Sequence, residues 1–269
     1  MSDNSSGSVF RQLVEGKLFF LSFSMFLMKL DFKGFVLGVL YKLLAKVLIF
    51  ISMILPIKII LFLAPAQEVP GILSQYFENK VQFVGLLCVL MLIFMVLSSL
   101  FSKLAVNVSK TKVDKIANIS KKEFGVEAIE KIKKNVDICM LSHALFLFCL
   151  SCSITVYFIY PELLLVFFLV LVISAIFFMA VGRYEHSTLQ RFNESPDKML
   201  NGIAKLIFLT SFFYIVYDSI FNSSALELIL MVVGLIMIRQ SGLLISQLLL
   251  LMIKFNKISK PALKLLEVK

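Results

Sequence analysis

Residues 36–64 read VLGVLYKLLAKVLIFISMILPIKIILFLA, and only Lys42, Lys46 and Lys58 interrupt the run with charge. An apolar helix needs about 20 residues to cross the hydrocarbon core of a bilayer, and this one exceeds that length. The rest of the chain has the same texture. Of 269 residues, 59% are hydrophobic and only 16% charged, with a mean hydropathy of +0.95. A soluble domain keeps about a quarter of its residues charged to cover its surface. The composition therefore specifies an all-α, polytopic membrane protein and excludes a soluble enzyme, a disordered scaffold and a disulfide-stapled secreted domain.

Five further apolar segments are long enough to span: 81–105, 138–159, 163–182, 203–221 and 225–253. The sequence thus predicts six transmembrane helices within residues 36–254. Upstream, LFFLSFSMFLM at 18–28 is apolar but too short to cross, and Lys17 and Lys29 bracket it. It predicts an interfacial, elbow-like helix within 9–35. Residues 1–8 carry no basic group, so the N-terminus lacks the charged start of a secretory signal and reads as a disordered cytosolic tail.

Lysine and arginine fix the expected orientation. With both termini cytosolic, every Lys and Arg except Lys58, Lys80 and Arg239 falls on the inner side, either in a loop or at the inner end of a span. That asymmetry predicts an N-in, C-in protein of the plasma (inner) membrane, ending in a basic cytosolic tail at 255–269. It also accounts for the net charge of +10 without nucleic acid, because the charge is spread over several inner segments and no recognition motif accompanies it. Anionic lipid headgroups are its simplest partner. The largest loop, 106–137, repeats Val113, Ile116, Ile119 and then Val126, Ile129, Ile132 at helical spacing. It predicts two amphipathic helical pieces, broken near Phe124 and Gly125, that continue the second and third spans into the cytosol.

Six spans behind a short interfacial helix, with a charged helical extension between the second and third, resemble the transmembrane half of an ATP-binding-cassette exporter of the type I secretion or multidrug kind. Residues 38–63, GVLYKLLAKVLIFISMILPIKIILFL, look like that family's first span, with Pro56 before its outer end. Residues 234–267, GLIMIRQSGLLISQLLLLMIKFNKISKPALKLLE, look like its sixth, with a mid-helix arginine at Arg239 and polar positions at Gln240, Ser241, Ser246 and Gln247. The resemblance implies a dimer whose protomers enclose a pathway and whose ATP is handled by a separate ATPase subunit. Two features depart from the family. No G-x-x-x-x-G-K-[ST] phosphate loop is present in this chain, so no nucleotide cofactor is expected in it. The inner loop between the fourth and fifth spans is also much shorter than the helices by which such exporters couple to their motor.

Arg239 is expected near the midplane, where a charge costs a few kcal/mol and should face the bundle interior or water. It is either a pathway residue touching an anionic group or a structural tie between helices. Gln240, Ser246 and Gln247 extend a polar stripe along the same helix, and Lys58 is placed to snorkel to the headgroups or to line a pore. Asp218 is the one acid placed to pair with Lys58 or Arg239. Cys149 and Cys152 form a C-x-x-C on one apolar helix that also carries Cys139 and His143, a pattern that favours packing over metal ligation. No G-x-S-x-G, H-E-x-x-H or paired intramembrane acid is present, so the expectation is a non-catalytic protein without metal. The leading expectation is a dimeric transport subunit energised by a separate ATPase or an ion gradient. The alternative is a channel-forming or signal-receiving effector whose 106–137 segment meets a partner through Lys115, Lys121, Lys122 and Phe124.

Overall fold

The computed structural model describes residues 9–63, 79–120, 126–183, 196–221 and 228–258. These form seven helices: α1 (Val9–Leu30), α2 (Phe32–Leu63), α3 (Lys80–Ser120), α4 (Val126–Ile159), α5 (Pro161–Arg183), α6 (Pro196–Phe221) and α7 (Leu228–Ile258), with no strand among the described residues. Five of them contain a stretch long and apolar enough to cross a membrane: Phe32–Ile60, Lys80–Ile116, Ile129–Ile159, Leu200–Asp218 and Met231–Phe255. Among the described residues of α5 the apolar stretch is Pro161–Ser174, within a helix of 23 residues. The chain is a multi-pass helical membrane protein.

α2 and α3 pack as an antiparallel hairpin, α4 and α7 pack together at the centre, and α5 and α6 flank them on the far side. Small polar groups tie these pairs. The Ser98 hydroxyl donates to the Ala45 carbonyl at 3.0 Å, joining α3 to α2. The Ser246 hydroxyl donates to the Leu200 carbonyl at 2.8 Å, joining α7 to α6, close to where Gly242 lets α7 approach the Ala204 backbone. Without a hydrophobic force between helices in lipid, close approach at small residues and such interhelical bonds are what hold spans together.

α3 has 41 residues and α4 has 34, about 60 and 50 Å of helix at 1.5 Å per residue. Both therefore run well past a hydrocarbon core of about 30 Å. The expected continuation of the second and third spans is present, and Phe124 and Gly125 lie outside the described residues. Buried apolar residues of this extension share one core with α1, which packs chiefly against α7. Phe20, Phe23 and Leu27 of α1 are buried with Val113 and Ile116 of α3, Ile132, Val136 and Met140 of α4, and Phe255 of α7. The short apolar segment expected along the membrane surface is thus part of a core. It ends at Leu30, before the expected boundary at residue 35, and Asp31 caps the next helix: Gly34 N–H donates to its carboxylate at 3.0 Å.

Candidate functional site

Two polar regions stand out. The first sits where α1 gives way to α2, against the extensions of α3 and α4. Lys112 is almost wholly buried. Its ammonium donates to the carbonyls of Asp31 at 2.8 Å and Leu27 at 3.3 Å and stands 5.2 Å from the Phe35 ring centre. The Leu27 carbonyl already accepts from the Asp31 N–H at 3.2 Å and the Asp31 carbonyl from the Phe35 N–H at 3.0 Å, so the ammonium takes the second lone pair of each and sets its charge against the negative end of the α1 dipole. Lys115 pairs with the other face of the junction, 2.9 Å from the Asp31 carboxylate. The Gly34 N–H, then the Lys115 ammonium, hold the Asp31 carboxyl below its ordinary value, against a smaller opposing effect of burial. Lys115 is therefore committed within the chain, and of the partner-contacting residues expected with it, Lys121, Lys122 and Phe124 lie outside the described residues.

About three turns further along α2, the Lys42 ammonium pairs with the Asp137 carboxylate of α4 and also donates to the Asp137 carbonyl at 3.1 Å. The pair is lopsided, with side chains 10% and 47% exposed respectively. Beneath it, the Ser24 hydroxyl meets the Cys139 thiol at 3.1 Å, and His143 stacks on Phe20 and meets Phe35 edge-on. Cys139 and His143 are thus spoken for by neighbours in the core. The Asn135 amide is completely buried and unpartnered among the described residues. None of these contacts was legible in the sequence, because each crosses between helices at separations that no spacing rule addresses.

The second region is the membrane-embedded part of α7. Arg239 lies inside the apolar stretch Met231–Phe255 of a helix that begins at Leu228. Its side chain is exposed on the surface of the protomer, with the Phe208 ring 5.7 Å from the guanidinium carbon, and it forms no ion pair among the described residues. Of the two surroundings expected for it, bundle interior or water, the interior of this one protomer does not supply the first. Gln240 is half-buried and Gln247 exposed, whereas Ser246 is buried and bonded to both Leu200 and Gly242 carbonyls. Ser246 is a helix tie and leaves the polar stripe. Lys58 is exposed on α2. Its expected partner Asp218 is engaged elsewhere, accepting a hydrogen bond from the Tyr160 hydroxyl at the α4–α5 corner. Next to that pair, the Tyr214 hydroxyl donates to Glu162 at 3.1 Å. Burial first, and then the Asp218 carboxylate, keep the Tyr160 phenol above its ordinary value, so it remains a donor throughout the physiological range.

Compared with protein-family models, with curated proteins and with solved structures, the chain matches none of them.

Proposed function

We propose that this chain is a non-catalytic subunit of a transport-type assembly, crossing the plasma membrane six times with both termini cytosolic and working as a dimer. The sixth crossing is α5, whose 23 residues make about 34 Å of helix. The observation that carries the reading is Arg239. A guanidinium held inside the hydrocarbon and turned away from its own bundle is costly against lipid, by about 3 kcal/mol on insertion scales. A second protomer, or a water-filled pathway between two protomers, removes that cost. Gln240 and Gln247 extend the same helix, so the outward surface of α7 with Phe208 of α6 is the proposed lining. Energy would come from a separate ATPase subunit or an ion gradient. Native mass spectrometry of the protein released from lipid tests the assembly: dimers are expected, and a strictly monomeric particle that still transports would overturn the proposal.

A second reading is a channel-forming or signal-receiving effector. The observation favouring it is that Val113, Ile116 and Ile132 of the α3–α4 extension are buried in one core with α1, so these apolar positions are not open to a motor. Passive solute leakage from liposomes containing the chain alone would select this reading, and sealed liposomes the first.

A further inference from the structure

α3 is open to its surroundings on one flank. Between α2 and α3 a groove of about 780 Å³ is lined by Ser52, Met53 and Pro56 of α2 and by Ser99, Ser102 and Lys103 of α3. Between α3 and α4 a cleft of about 480 Å³ is lined by Val106 and Ser109 of α3 and by Glu130, Lys133, Lys134 and Ile138 of α4. The α3 positions Ser99, Ser102, Val106 and Ser109 recur at steps of three or four residues, which is a single helix stripe. Both openings therefore lie on the same side of α3, offset along it by about 10 to 15 Å at 1.5 Å per residue.

Their levels differ in polarity. The cleft sits where the spans turn charged: Lys110, Lys112 and Lys115 follow on α3, and on α4 the charged turn ending at Asp137 gives way to an apolar run beginning at Ile138. This is headgroup depth. The groove lies deeper; Ile49, Met53, Pro56 and Met95 give it its apolar surface beside small serines, and Lys103 stands at its end nearest the cleft. Charge inside the cleft is net positive, because the Asp137 carboxylate that also lines it is taken by Lys42, leaving Lys133 and Lys134 against Glu130. A basic pocket at headgroup depth that opens into an apolar groove has the polarity of an anionic amphiphile.

We propose that this track is a binding site for a phosphate-bearing, anionic membrane lipid. Its phosphate lies between the Lys133 and Lys134 ammonium groups with the Ser109 hydroxyl as a further donor, and one acyl chain follows the groove past Ser102 and Ser99 toward Met53. Free phosphate would satisfy the lysines but would leave the apolar groove unfilled, so the lipid is the occupant the two openings together select.

The test uses the full chain in detergent, titrated with dioleoyl phosphatidylglycerol and, separately, with inorganic phosphate. Bound lipid is read by native mass spectrometry and stabilisation by the thermal midpoint. The lipid is expected to raise the midpoint and to leave a retained single-lipid adduct. Lys133→Gln with Lys134→Gln should weaken that binding about tenfold or more, and both residues are exposed, so the fold is not at risk. Lys198→Gln with Lys205→Gln removes the same charge from exposed positions on α6 and should change nothing. Ser102→Leu, which fills the groove at an exposed position, should weaken lipid binding while the lysines remain. Equal losses from the two lysine pairs, or no loss from either, would overturn the site. If inorganic phosphate stabilises as well as the lipid and Ser102→Leu is silent, the occupant is a free anion and the lipid proposal fails.

Discussion

At the scale of single residues, the cost of a polar contact depends on which partner is left behind. Lys42 is buried and Asp137 is half exposed, so the two truncations should not be equivalent. Asp137→Ala strands a buried ammonium with only the residue 137 carbonyl to bond, and a lone buried charge is the expensive outcome of a broken pair. Lys42→Met leaves a carboxylate that water reaches and puts an apolar chain of similar length in the core. Thermal unfolding in detergent should find Asp137→Ala destabilising by about 2 kcal/mol, discounted for the solvent around Asp137, and Lys42→Met by distinctly less. The reverse order would mean that the ion pair itself contributes most of the stability. Asp31 gives a pH signature of its own. Its carboxyl titrates below its ordinary value in the folded chain, so the stability it adds is complete above the unfolded value near pH 4 and is lost as pH falls through the folded one. The thermal midpoint of the native protein should therefore drop on acidification below about pH 4 by an increment that Asp31→Asn lacks, because asparagine still caps α2 but does not titrate. Parallel acid profiles for the two proteins would show that Lys115 and Gly34 add nothing there.

At the scale of helices, close approach decides which substitutions are tolerated. A Cβ added at Gly242 would stand 3.6 Å from the Ala204 Cα, ordinary van der Waals contact, whereas any longer side chain runs into the α6 backbone. Gly242→Ala should leave the thermal midpoint nearly unchanged, and Gly242→Leu should force α6 and α7 apart at about 1 to 3 kcal/mol. If leucine is as well tolerated as alanine, α6 and α7 are not held where they are described. Periodicity and length made the helices themselves legible: hydropathy alone marks α2, α3, α4, α6 and α7, and the Val113, Ile116, Ile132 pattern anticipates the extension of α3 and α4. The same rules said less about α1. Its apolar length is too short to span, which says nothing about whether other helices bury it, and Phe23 and Leu27 are fully covered. They could not separate Ser246 from Arg239 either, since both lie in one polar-looking helix and only the neighbouring carbonyl of Leu200 distinguishes a tie from a surface group. Asp218 was visible as a costly acid, but its partner Tyr160 lies in a corner whose geometry no spacing encodes.

At the scale of the whole molecule, Arg239 separates what one protomer needs from what an assembly needs. Within the protomer it touches the Phe208 ring and forms no ion pair among the described residues, so Arg239→Gln removes little that the single bundle uses. A surface substitution away from caps, cavities and buried networks changes stability by about 0.5 kcal/mol or less, and the dissociated protomer should unfold at nearly the native temperature. If a second protomer covers this face, the charge lies in an environment with few water molecules and its removal is felt there. The dimer fraction seen by native mass spectrometry should then fall, or, where the guanidinium lines a pathway for anions, the dimer should persist while solute flux into liposomes is lost. A clear drop in the thermal midpoint of the isolated protomer would instead place the arginine's role inside one bundle. Unchanged stability, dimer fraction and flux together would mean that the side chain reaches the headgroups along the helix surface, and the α7 face would then be an ordinary lipid-facing surface.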